Sequence, residues 1–401
     1  MFYGLDVHKH FVQVHALEST GAKGKRLRIA CTREELDRFA GTLGPDDALV
    51  LETTFHSWEI AARLRRSGAR VVVANSSEVK AIAHARIKTD KIDAATLAHL
   101  LRADLIPEVV LPDEVTWQRR KLVTHQRLLV KQRTATKNAI RSQLNQQLLD
   151  PEDQRLFTAA GRAALQALPL AALDRFLLDS ALDLLDGIDR RVDAVDAQLA
   201  AVARDDASVQ LLMTLPGVGV TVAVGLAAAI GHIQRFATPG QLTAYFGLVP
   251  STYQSAERCY HGSITKRGST SARHLAIEAA QVLARSDCPL AATYHRVRRR
   301  RPHNVAVTAL ARKLVVVAWH LLTHQQPYRY APLATTCRKL RRLHPRRRPP
   351  PKTLPALYAE AGLPQLRPAP LAERRVADRA RRVLQNQREE VAKSRGLDER
   401  S

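Results

Sequence analysis

The chain has 401 residues, enough for more than one hydrophobic core, and its apolar content of 45% excludes a disordered polymer. Lysine and arginine number 62 against 38 acidic residues, which gives a formal net charge of +24. A GC-rich genome would also enrich arginine, but the clustering of the positive charge favours nucleic acid as a polyanionic partner.

Cysteine usage and apolar runs limit the cellular setting. The four cysteines are far apart and form no C-x-x-C pair, so neither a disulfide framework nor a zinc knuckle is expected. The N-terminal MFYGLDVHKHF lacks the continuous apolar core of a signal peptide. The apolar run VGVTVAVGLAAAIG is too short and too glycine-rich to span a bilayer. We therefore expect a cytoplasmic protein with no membrane partner.

Residues 1–112 alternate short β-type runs with amphipathic helical runs. The helices REELDRFAGTLG and EIAARLRRSG end at glycines, and SSEVKAIAHA begins at a serine cap. The order β-β-β-α-β-α-β-α predicts three antiparallel strands followed by parallel crossovers, which is the order of the ribonuclease H fold. The predicted strands are FYGLDV, FVQVHAL, RLRIACT, DALVLET and RVVVANS.

Residues 113–207 are predicted to form two long helices. The first, VTWQRRKLVTHQRLLVKQRTATKNAIRSQLNQQLL, is basic and contains neither glycine nor proline. The second carries apolar residues at 3-4-3-4-3 spacing, a heptad seam that favours a coiled coil. A helix packed inside its own domain is the alternative. The seam consists of Leu185, Ile188, Val192, Val195, Leu199 and Val202.

Residues 208–330 are predicted to form a second compact, mainly helical unit. Its segment LPGVGVTVAVGLAAAIG has the form of a helix-hairpin-helix, in which Gly217 and Gly219 let backbone N–H groups approach a DNA phosphate. A core helix preceded by a glycine turn would have a similar sequence. Residues 331–401 are predicted to be a poorly folded basic tail, either solvated or in contact with nucleic acid.

Four acidic residues predict a metal site in the first domain. Asp6 lies inside an apolar strand, where a charge is costly, and Glu52 ends the strand ALVLE. Asp90 and Asp93 of KTDKIDA are three residues apart, so both carboxylates share one face of a helix. In a ribonuclease H topology these positions converge, and divalent cations would neutralise their mutual repulsion. Taken singly, each acid also fits a turn, a surface charge or a helix N-terminus.

Basic and hydroxyl side chains complete the candidate set. Lys88 and Lys91 flank the acids of KTDKIDA and are expected to contact substrate phosphates or to moderate the local negative charge. Further along, a polar loop system of serines, threonines and glycines precedes a helix that begins near Thr270. Its hydroxyls either bind phosphate passively, or one of them attacks phosphorus. The cations among them are Lys266, Arg267 and Arg273.

Together, these motifs resemble the DEDD-type transposases of one insertion-sequence family, whose members include bridge-RNA-guided recombinases. The resemblance covers about residues 1–330. It rests on GLDVHK, the glutamate of LVLETT, KTDKIDA followed by LA, LPGVG, and GLVPSTYQS with the downstream ITKRG and AR.

The resemblance implies a Holliday-junction-resolvase-like N-terminal domain in which Asp6, Glu52, Asp90 and Asp93 bind Mg²⁺ or Mn²⁺. It implies a C-terminal transposase domain whose catalytic serine falls on Ser255 and forms a covalent link to DNA, assisted by the metal site of a partner subunit. The implied partners are double-stranded donor and target DNA and a structured guide RNA. The coiled coil would then serve a homodimer or homotetramer, associated with a bacterial nucleoid.

The sequence departs from the family pattern in two places. Ala256 follows the serine where the family usually has glycine, and Ser269 and Ala272 stand where it favours asparagine and leucine. These departures leave Ser251 and Ser263 as alternative nucleophiles. Two other functions also fit the residues: a metal-dependent, structure-specific nuclease that uses water, and an inactive DNA- or RNA-binding relative.

Overall fold

The structure of the chain is a computed structural model, which describes residues 1–82, 90–149, 155–255, 258–343 and 349–398. The chain forms two compact units, residues 1–113 and residues 114–401. Large apolar clusters lie inside each unit. Each unit therefore has a core of its own.

Five strands form the sheet of the N-terminal unit: β1 (Phe2–Val7), β2 (Phe11–Leu17), β3 (Lys23–Ala30), β4 (Ala48–Glu52) and β5 (Arg70–Ala74). Their order across the sheet is β3-β2-β1-β4-β5. β1 and β2, and β2 and β3, pair antiparallel, whereas β4 lies parallel to β1 and to β5. The predicted arrangement, in which three antiparallel strands are followed by strands joined through parallel crossovers, is confirmed.

Helices cover both faces of this sheet, because alternate residues of a strand point to opposite sides. Leu51 packs in one cluster with Ile60, and its neighbour Val50 packs in another with Leu97. Ile60 and Leu97 belong to different helices, so the two sides of β4 face different helices. The helices of this unit are α1 (Arg33–Ala40), α2 (Ser57–Leu64), α3 (Ser76–Ile82) and α4 (Asp90–Arg102).

The close contact between α4 and β1 depends on Gly4. A Cβ atom built on Gly4 would lie 1.9 Å from the carbonyl oxygen of Ala94 and 2.6 Å from the amide nitrogen of Ala98. Only glycine permits this approach of two backbones. The contact brings α4, whose first turn contains Asp90 and Asp93, against the strand that contains Asp6.

The second unit begins with two long helices and a short one between them: α5 (Glu114–Gln146), α6 (Ala159–Gln166) and α7 (Ala172–Arg204). α5 and α7 pack antiparallel, because contacts late in α5 reach the start of α7, and contacts earlier in α5 reach its second half and the residues just after it. These contacts join Arg119 to Asp206 (2.6 Å), Gln126 to Asp196 (3.2 Å) and Gln143 to the Asp174 carbonyl (3.0 Å).

The apolar seam of α7 packs against α5 of the same chain. Leu129 of α5 clusters with Ile188 and Val192, and Leu144 clusters with Leu185. The heptad spacing therefore marks a helix face buried within its own unit, which is the alternative that the sequence left open. The partner helix was hard to recognise because its few apolar positions lie between many basic and amide residues.

A large helical core follows, and α13 is its central helix. It contacts α8, α10, α11 and α12. Among the described residues, α13 is long and apolar enough to cross a membrane. Half of its most apolar stretch is buried inside the unit, as in a core helix. The elements are α8 (Ala207–Met213), α9 (Val220–Ile230), α10 (Pro239–Tyr245), β6 (Pro250–Ser255), β7 (Arg258–Ile264), α11 (Thr270–Ala284), α12 (Ala291–Arg298) and α13 (His303–His324).

The predicted poorly folded tail is instead largely helical, which corrects the expectation for residues 331–401. Three helices form: α14 (Leu333–Leu343), α15 (Leu354–Glu360) and α16 (Leu371–Asp398). Leu340, Leu357 and Tyr358 are buried in the core that α8, α9 and α13 share. The many arginines misled the prediction, because they alternate with apolar residues at helical spacing and leave one apolar face on α14.

Candidate active site and nucleic-acid interface

Asp6 and Glu52 leave neighbouring strands on the same face of the sheet. Leu5 and Leu51 are paired across β1 and β4, and each acid is the next residue along its strand. Asp6 lies two residues after Gly4, which touches α4, and Glu52 lies two residues after Val50, which packs with α4. Both carboxylates therefore point to the side of the sheet that α4 covers.

Asp6 forms a contact with His8 that the sequence reasoning missed. The Oδ2 atom of Asp6 lies 3.0 Å from Nε2 of His8, and the Asp6 side chain retains 22% of its exposure. The His8 ring stacks on Phe11 at a centroid distance of 4.5 Å, and the Arg28 guanidinium lies 3.8 Å from the centre of the Phe11 ring. Only the spacing Asp-x-His in GLDVHK pointed to this contact in the sequence.

The remaining predicted acids lie at the start of α4. Asp90 is the first residue of the helix, and Asp93 is part-buried next to Ala94, the residue whose carbonyl meets Gly4. The side chains of Asp90 and Lys91 are not among those described, and Lys88 lies outside the described residues.

The three described acids have the chemistry that a divalent cation requires, and Asp6 and Glu52 share the face of the sheet that α4 covers. Carboxylate oxygens are the ligands that Mg²⁺ and Mn²⁺ prefer. Within the described parts of the chain, no group of three or more His, Cys, Asp and Glu side chains is close enough to hold a metal ion. Asp6, Glu52 and Asp93 therefore do not form a closed ligand set by themselves, and the predicted four-acid site includes Asp90.

The predicted polar loop system around Ser255 is instead a two-stranded antiparallel ribbon, formed by β6 and β7. Ser255 is the last residue of β6 and pairs with Arg258, the first residue of β7. Tyr253 and Tyr260 form the pair two positions further from the tip. Directly paired residues share a face, as do residues two apart, so Tyr253, Ser255, Arg258 and Tyr260 stand on one side of the ribbon.

This face of the ribbon is open to solvent. Tyr253 is 72% exposed and Tyr260 is 64% exposed, and Ser255 and Arg258 are exposed as well. A hydroxyl, a guanidinium and two aromatic rings together can contact a phosphate and a flat base. We call these four residues the ribbon face. Sequence reasoning missed Arg258 and both tyrosines, because only the strand register brings them beside Ser255.

The alternative nucleophiles have different surroundings. The hydroxyl of Ser251 donates a hydrogen bond to the carbonyl oxygen of Ser263 across the ribbon, at 3.1 Å. Ser251 therefore has a structural role in β6–β7 pairing. Ser263 is exposed, several residues from the tip of the ribbon, and Ala256 lies outside the described residues.

The predicted phosphate-binding cations differ in their environment. Lys266 and Arg267 are exposed in the loop between β7 and α11, and Lys266 has a left-handed backbone with φ of +55°. Arg273 instead binds the backbone of that loop. Its Nη1 donates to the carbonyl oxygens of Phe246 (3.2 Å) and Lys266 (3.1 Å). Lys266 and Arg267 thus face solvent on a loop that Arg273 holds.

The glycine-rich segment forms a turn, residues 214–219, between α8 and α9. Gly217 has φ of +79°, and a Cβ atom there would lie 2.2 Å from the Ala279 carbonyl oxygen of α11. Gly217 is therefore needed for packing. Gly219 is the N-cap of α9, and no atom lies within 4 Å of a Cβ built on it. Gly219 is part-exposed and has open space at its Cβ position, so a phosphate could approach the start of α9 from this side.

Tyr328 and Lys339, which the sequence analysis did not identify, hold this turn in place. The amide of Tyr328 donates to Oγ1 of Thr214 at 2.9 Å. The amino group of Lys339 donates to the carbonyl oxygens of Met213, Leu215 (2.7 Å) and Val218 (3.1 Å). Burial lowers the pKa of Lys339 to about 7. Contacts that bridge more than a hundred residues have no local signature in a sequence.

Comparisons with known proteins give a consistent result along the chain. Residues 3–148 match the DEDD model of IS110 type, described as a transposase, and residues 209–296 match the model of the transposase IS116/IS110/IS902 family. Together these matches span the sheet, the acids, the turn and the ribbon.

Individual relatives agree with the family models. A probable family 20 transposase of Pseudomonas aeruginosa is 30% identical over 351 residues, which is 81% of this chain and 98% of that protein. The transposase for insertion sequence element IS1111A of Coxiella burnetii is 33% identical over 145 residues, 35% of this chain and 40% of its own. An uncharacterized protein of insertion element IS110 from Streptomyces coelicolor is 26% identical over 380 residues, 80% of this chain and 94% of its own.

Proposed function

The chain belongs to the IS110 family of DEDD transposases, and we propose that it exchanges DNA strands through a covalent serine–DNA intermediate. Family membership makes it an enzyme that acts on DNA, and the DEDD domain indicates dependence on a divalent metal ion. The observation that carries the proposal is the ribbon face, on which Ser255 and Arg258 stand directly opposite each other beside two exposed tyrosines.

The proposal assigns a ribonuclease H-like fold to the N-terminal unit. The strand order β3-β2-β1-β4-β5, with an antiparallel start, supports this assignment. Asp6, Glu52, Asp90 and Asp93 would hold Mg²⁺ or Mn²⁺, and this set is supported by the common face of Asp6 and Glu52 and by the contact of α4 with β1. When bound, the ion would offset negative charge on the phosphate and on the departing oxygen.

His8 and Phe11 orient the Asp6 carboxylate in this arrangement. The imidazole contacts one carboxylate oxygen, and its stacking on Phe11 restricts the ring to few orientations. A ligand that is already oriented loses less conformational entropy when it binds a cation. We therefore assign His8 as a positioning residue for Asp6.

The chemistry at Ser255 conserves the number of phosphodiester bonds. Its Oγ attacks phosphorus and forms a serine–phosphate ester, while the bond from phosphorus to the departing sugar oxygen breaks and the hydroxyl proton ends on that oxygen. Arg258 would stabilise the negative charge on the phosphoryl oxygens. A sugar hydroxyl of the second strand then attacks the ester and releases Ser255.

Ser255 is preferred to Ser251 and Ser263 for this role. The Ser251 hydroxyl already donates to a carbonyl across the ribbon, and Ser263 lies away from the tip. Ser255 is exposed and has a guanidinium-bearing residue as its direct partner in the ladder.

Nucleic-acid contacts outside the ribbon complete the proposal. Lys266, Arg267 and the open backbone at Gly219 would contact phosphates of donor and target duplexes, and Lys88 and Lys91 would contact the strand near the acids. Arg273 would act by holding the loop. Guidance by a structured RNA rests on the family resemblance.

Assembly as a homodimer or homotetramer is also proposed. The seam of α7 packs on α5, so a different surface would join the subunits. Exposed apolar side chains at helical spacing near the start of α7 support such a surface. They are Leu173, Phe176, Leu177 and Leu184.

The test uses the full-length chain, element-end DNA, target DNA and the transcribed non-coding end of the element. Ser255→Ala should abolish strand exchange and the denaturation-resistant protein–DNA adduct, whereas Ser251→Ala and Ser263→Ala should retain both. Chelation of divalent ions should stop exchange while duplex binding persists. Exchange by Ser255→Ala at the normal rate would exclude the covalent intermediate.

A metal-dependent nuclease that uses water is the second candidate. The contact between Asp6 and His8 favours it, because an imidazole beside the acids is a possible base for water activation. Cleavage by Ser255→Ala together with no cleavage by Asp93→Asn would support this function. Full activity of both variants would indicate that neither site is catalytic.

A further inference from the structure

Three backbone carbonyl oxygens converge on one amino group at the turn of residues 214–219. They belong to Met213, Leu215 and Val218, and all three accept hydrogen bonds from Nζ of Lys339. The three parent residues are fully buried, and Lys339 is part-buried. The oxygens come from a stretch of only six residues, so the turn itself creates the cluster.

The local backbone explains why these oxygens point to one place. Met213 ends α8, and the last carbonyls of a helix have no amide partner within it and carry partial negative charge. The left-handed φ of Gly217 then reverses the chain, so the Val218 carbonyl approaches the same point. A concave group of carbonyl oxygens is the usual environment of a dehydrated monovalent cation.

We propose that the turn forms a monovalent-cation site in which the ammonium group of Lys339 takes the place of the ion. Lys339 is then a positioning residue for the backbone of the turn. Lys339 would also affect DNA binding, because it positions the turn that contains Gly219. This second effect rests on the proposed function, whereas the cation site itself does not.

The donor count agrees with the charged form of the side chain. Three acceptors require three N–H donors, and an ammonium group has three whereas a neutral amine has two. Burial opposes this by lowering the pKa of Lys339 to about 7, whereas the hydrogen bonds to three carbonyl oxygens favour the ammonium form. Ammonium and K⁺ are similar in size, so removal of the side chain should leave room for K⁺.

The variant Lys339→Ala tests the proposal in a series of monovalent chloride salts at equal ionic strength and pH 6.5. The thermal unfolding midpoint of the wild-type chain should not depend on the cation. Lys339→Ala should unfold several degrees lower in tetramethylammonium chloride and should regain most of that loss in KCl or NH₄Cl. The exposed neighbour Arg338→Ala is the control and should match the wild type.

Lys339→Met separates charge from volume. Its side chain fills the space without an ammonium group, so it should be destabilised equally in every salt. A Lys339→Met variant as stable as wild type would overturn the proposal. A loss in Lys339→Ala that is the same in every salt would also overturn it, by reducing Lys339 to a packing residue.

Duplex affinity in the same salts distinguishes this inference from the proposed function. If Lys339→Ala regains both stability and affinity in KCl, the cation site holds and the turn contacts DNA. If Lys339→Ala regains stability in KCl while its duplex affinity equals that of the wild type in every salt, the cation site holds and the proposed contact between the turn and DNA is wrong.

Discussion

Ser255 and Arg258 are direct partners in the antiparallel ladder of β6 and β7. The pair stands at the described end of an exposed ribbon, so a strand of DNA can reach the hydroxyl and the guanidinium from the same side.

Replacement of Arg258 by alanine should slow formation of the serine–DNA adduct at saturating DNA by about 10²–10³-fold, the usual effect of losing a group that stabilises transition-state charge. Single-turnover kinetics measure this rate. Arg285→Ala, which removes an exposed arginine at the end of α11, is the charge-matched control and should react normally. An equal loss in both variants would assign the effect to net charge.

The two tyrosines of the ribbon face should bind an unstacked base. Tyr253→Ala and Tyr260→Ala should each lose about 1–3 kcal/mol of affinity for strand ends, and phenylalanine should restore it, because stacking needs only the ring. A 2-aminopurine placed near the cleavage site reports the stacking by fluorescence. Gln254→Ala changes the opposite face of the same strand and should bind normally. Failure of phenylalanine to rescue would point to the hydroxyl.

His8 should tune metal use without binding the metal. His8→Ala should raise the Mg²⁺ concentration required for half-maximal cleavage by about 10–100-fold, because the Asp6 carboxylate loses its orienting partner. His8→Asn should retain part of the effect through its amide. His10→Ala removes an exposed neighbouring imidazole and should leave the Mg²⁺ titration unchanged. A lower maximal rate with an unaltered Mg²⁺ requirement would contradict this role.

Gly4→Ala should destabilise the N-terminal unit by at least about 2 kcal/mol, since the added Cβ meets backbone atoms of α4 that cannot move alone. Denaturant unfolding followed by fluorescence measures the change. Gly44→Ala, where no atom lies within 4 Å of the new Cβ, provides the matched control. Similar stability of the two variants would argue against close packing of α4 on β1.

Removal of residues 331–401 should unfold the second unit, because Leu340, Leu357 and Tyr358 would leave a shared core. A chain that ends at Val383 removes only part of α16 and should retain the unfolding midpoint of the full chain. Circular dichroism on heating compares the two. Normal stability of the chain without residues 331–401 would support the original interpretation of these residues as a poorly folded tail.

The N-terminal unit was predictable because its signals are local. Strand alternation and the glycine stops each act within a few residues, and the strand order follows from them. The predicted serine cap is wrong, because the helix begins at Ser76 and the Oδ1 atom of Asn75 accepts a hydrogen bond from the Ser77 amide. The contact of Gly4 with Ala94 was not predictable, because nothing near Gly4 in the sequence indicates which helix approaches it. A metal site was predicted from topology, and it stays a prediction, because the side chain of Asp90, one of the four predicted ligands, lies outside the described set.

The second unit was harder to predict because its decisive contacts join distant segments. The heptad seam gave the correct face of α7 but could not identify α5 as its partner. The ribbon was mistaken for loops, because exposed strands carry polar residues on both faces and lack alternation. Arginine-rich composition concealed the apolar face of α14, in which Cys337, Leu340 and Leu343 recur at helical spacing.

The contact between Lys339 and the turn also sets an order of events during synthesis. The turn emerges from the ribosome with α8 and α9. Lys339, whose amino group binds the carbonyl oxygens of the turn, is translated 121 residues after Val218. An interrupted or frameshifted product that lacks residue 339 also lacks Leu340, Leu357 and Tyr358, so we expect that its second unit does not fold and that the turn does not form. Full-length translation thus becomes a condition for the finished turn, which separates truncated copies of the protein from complete ones.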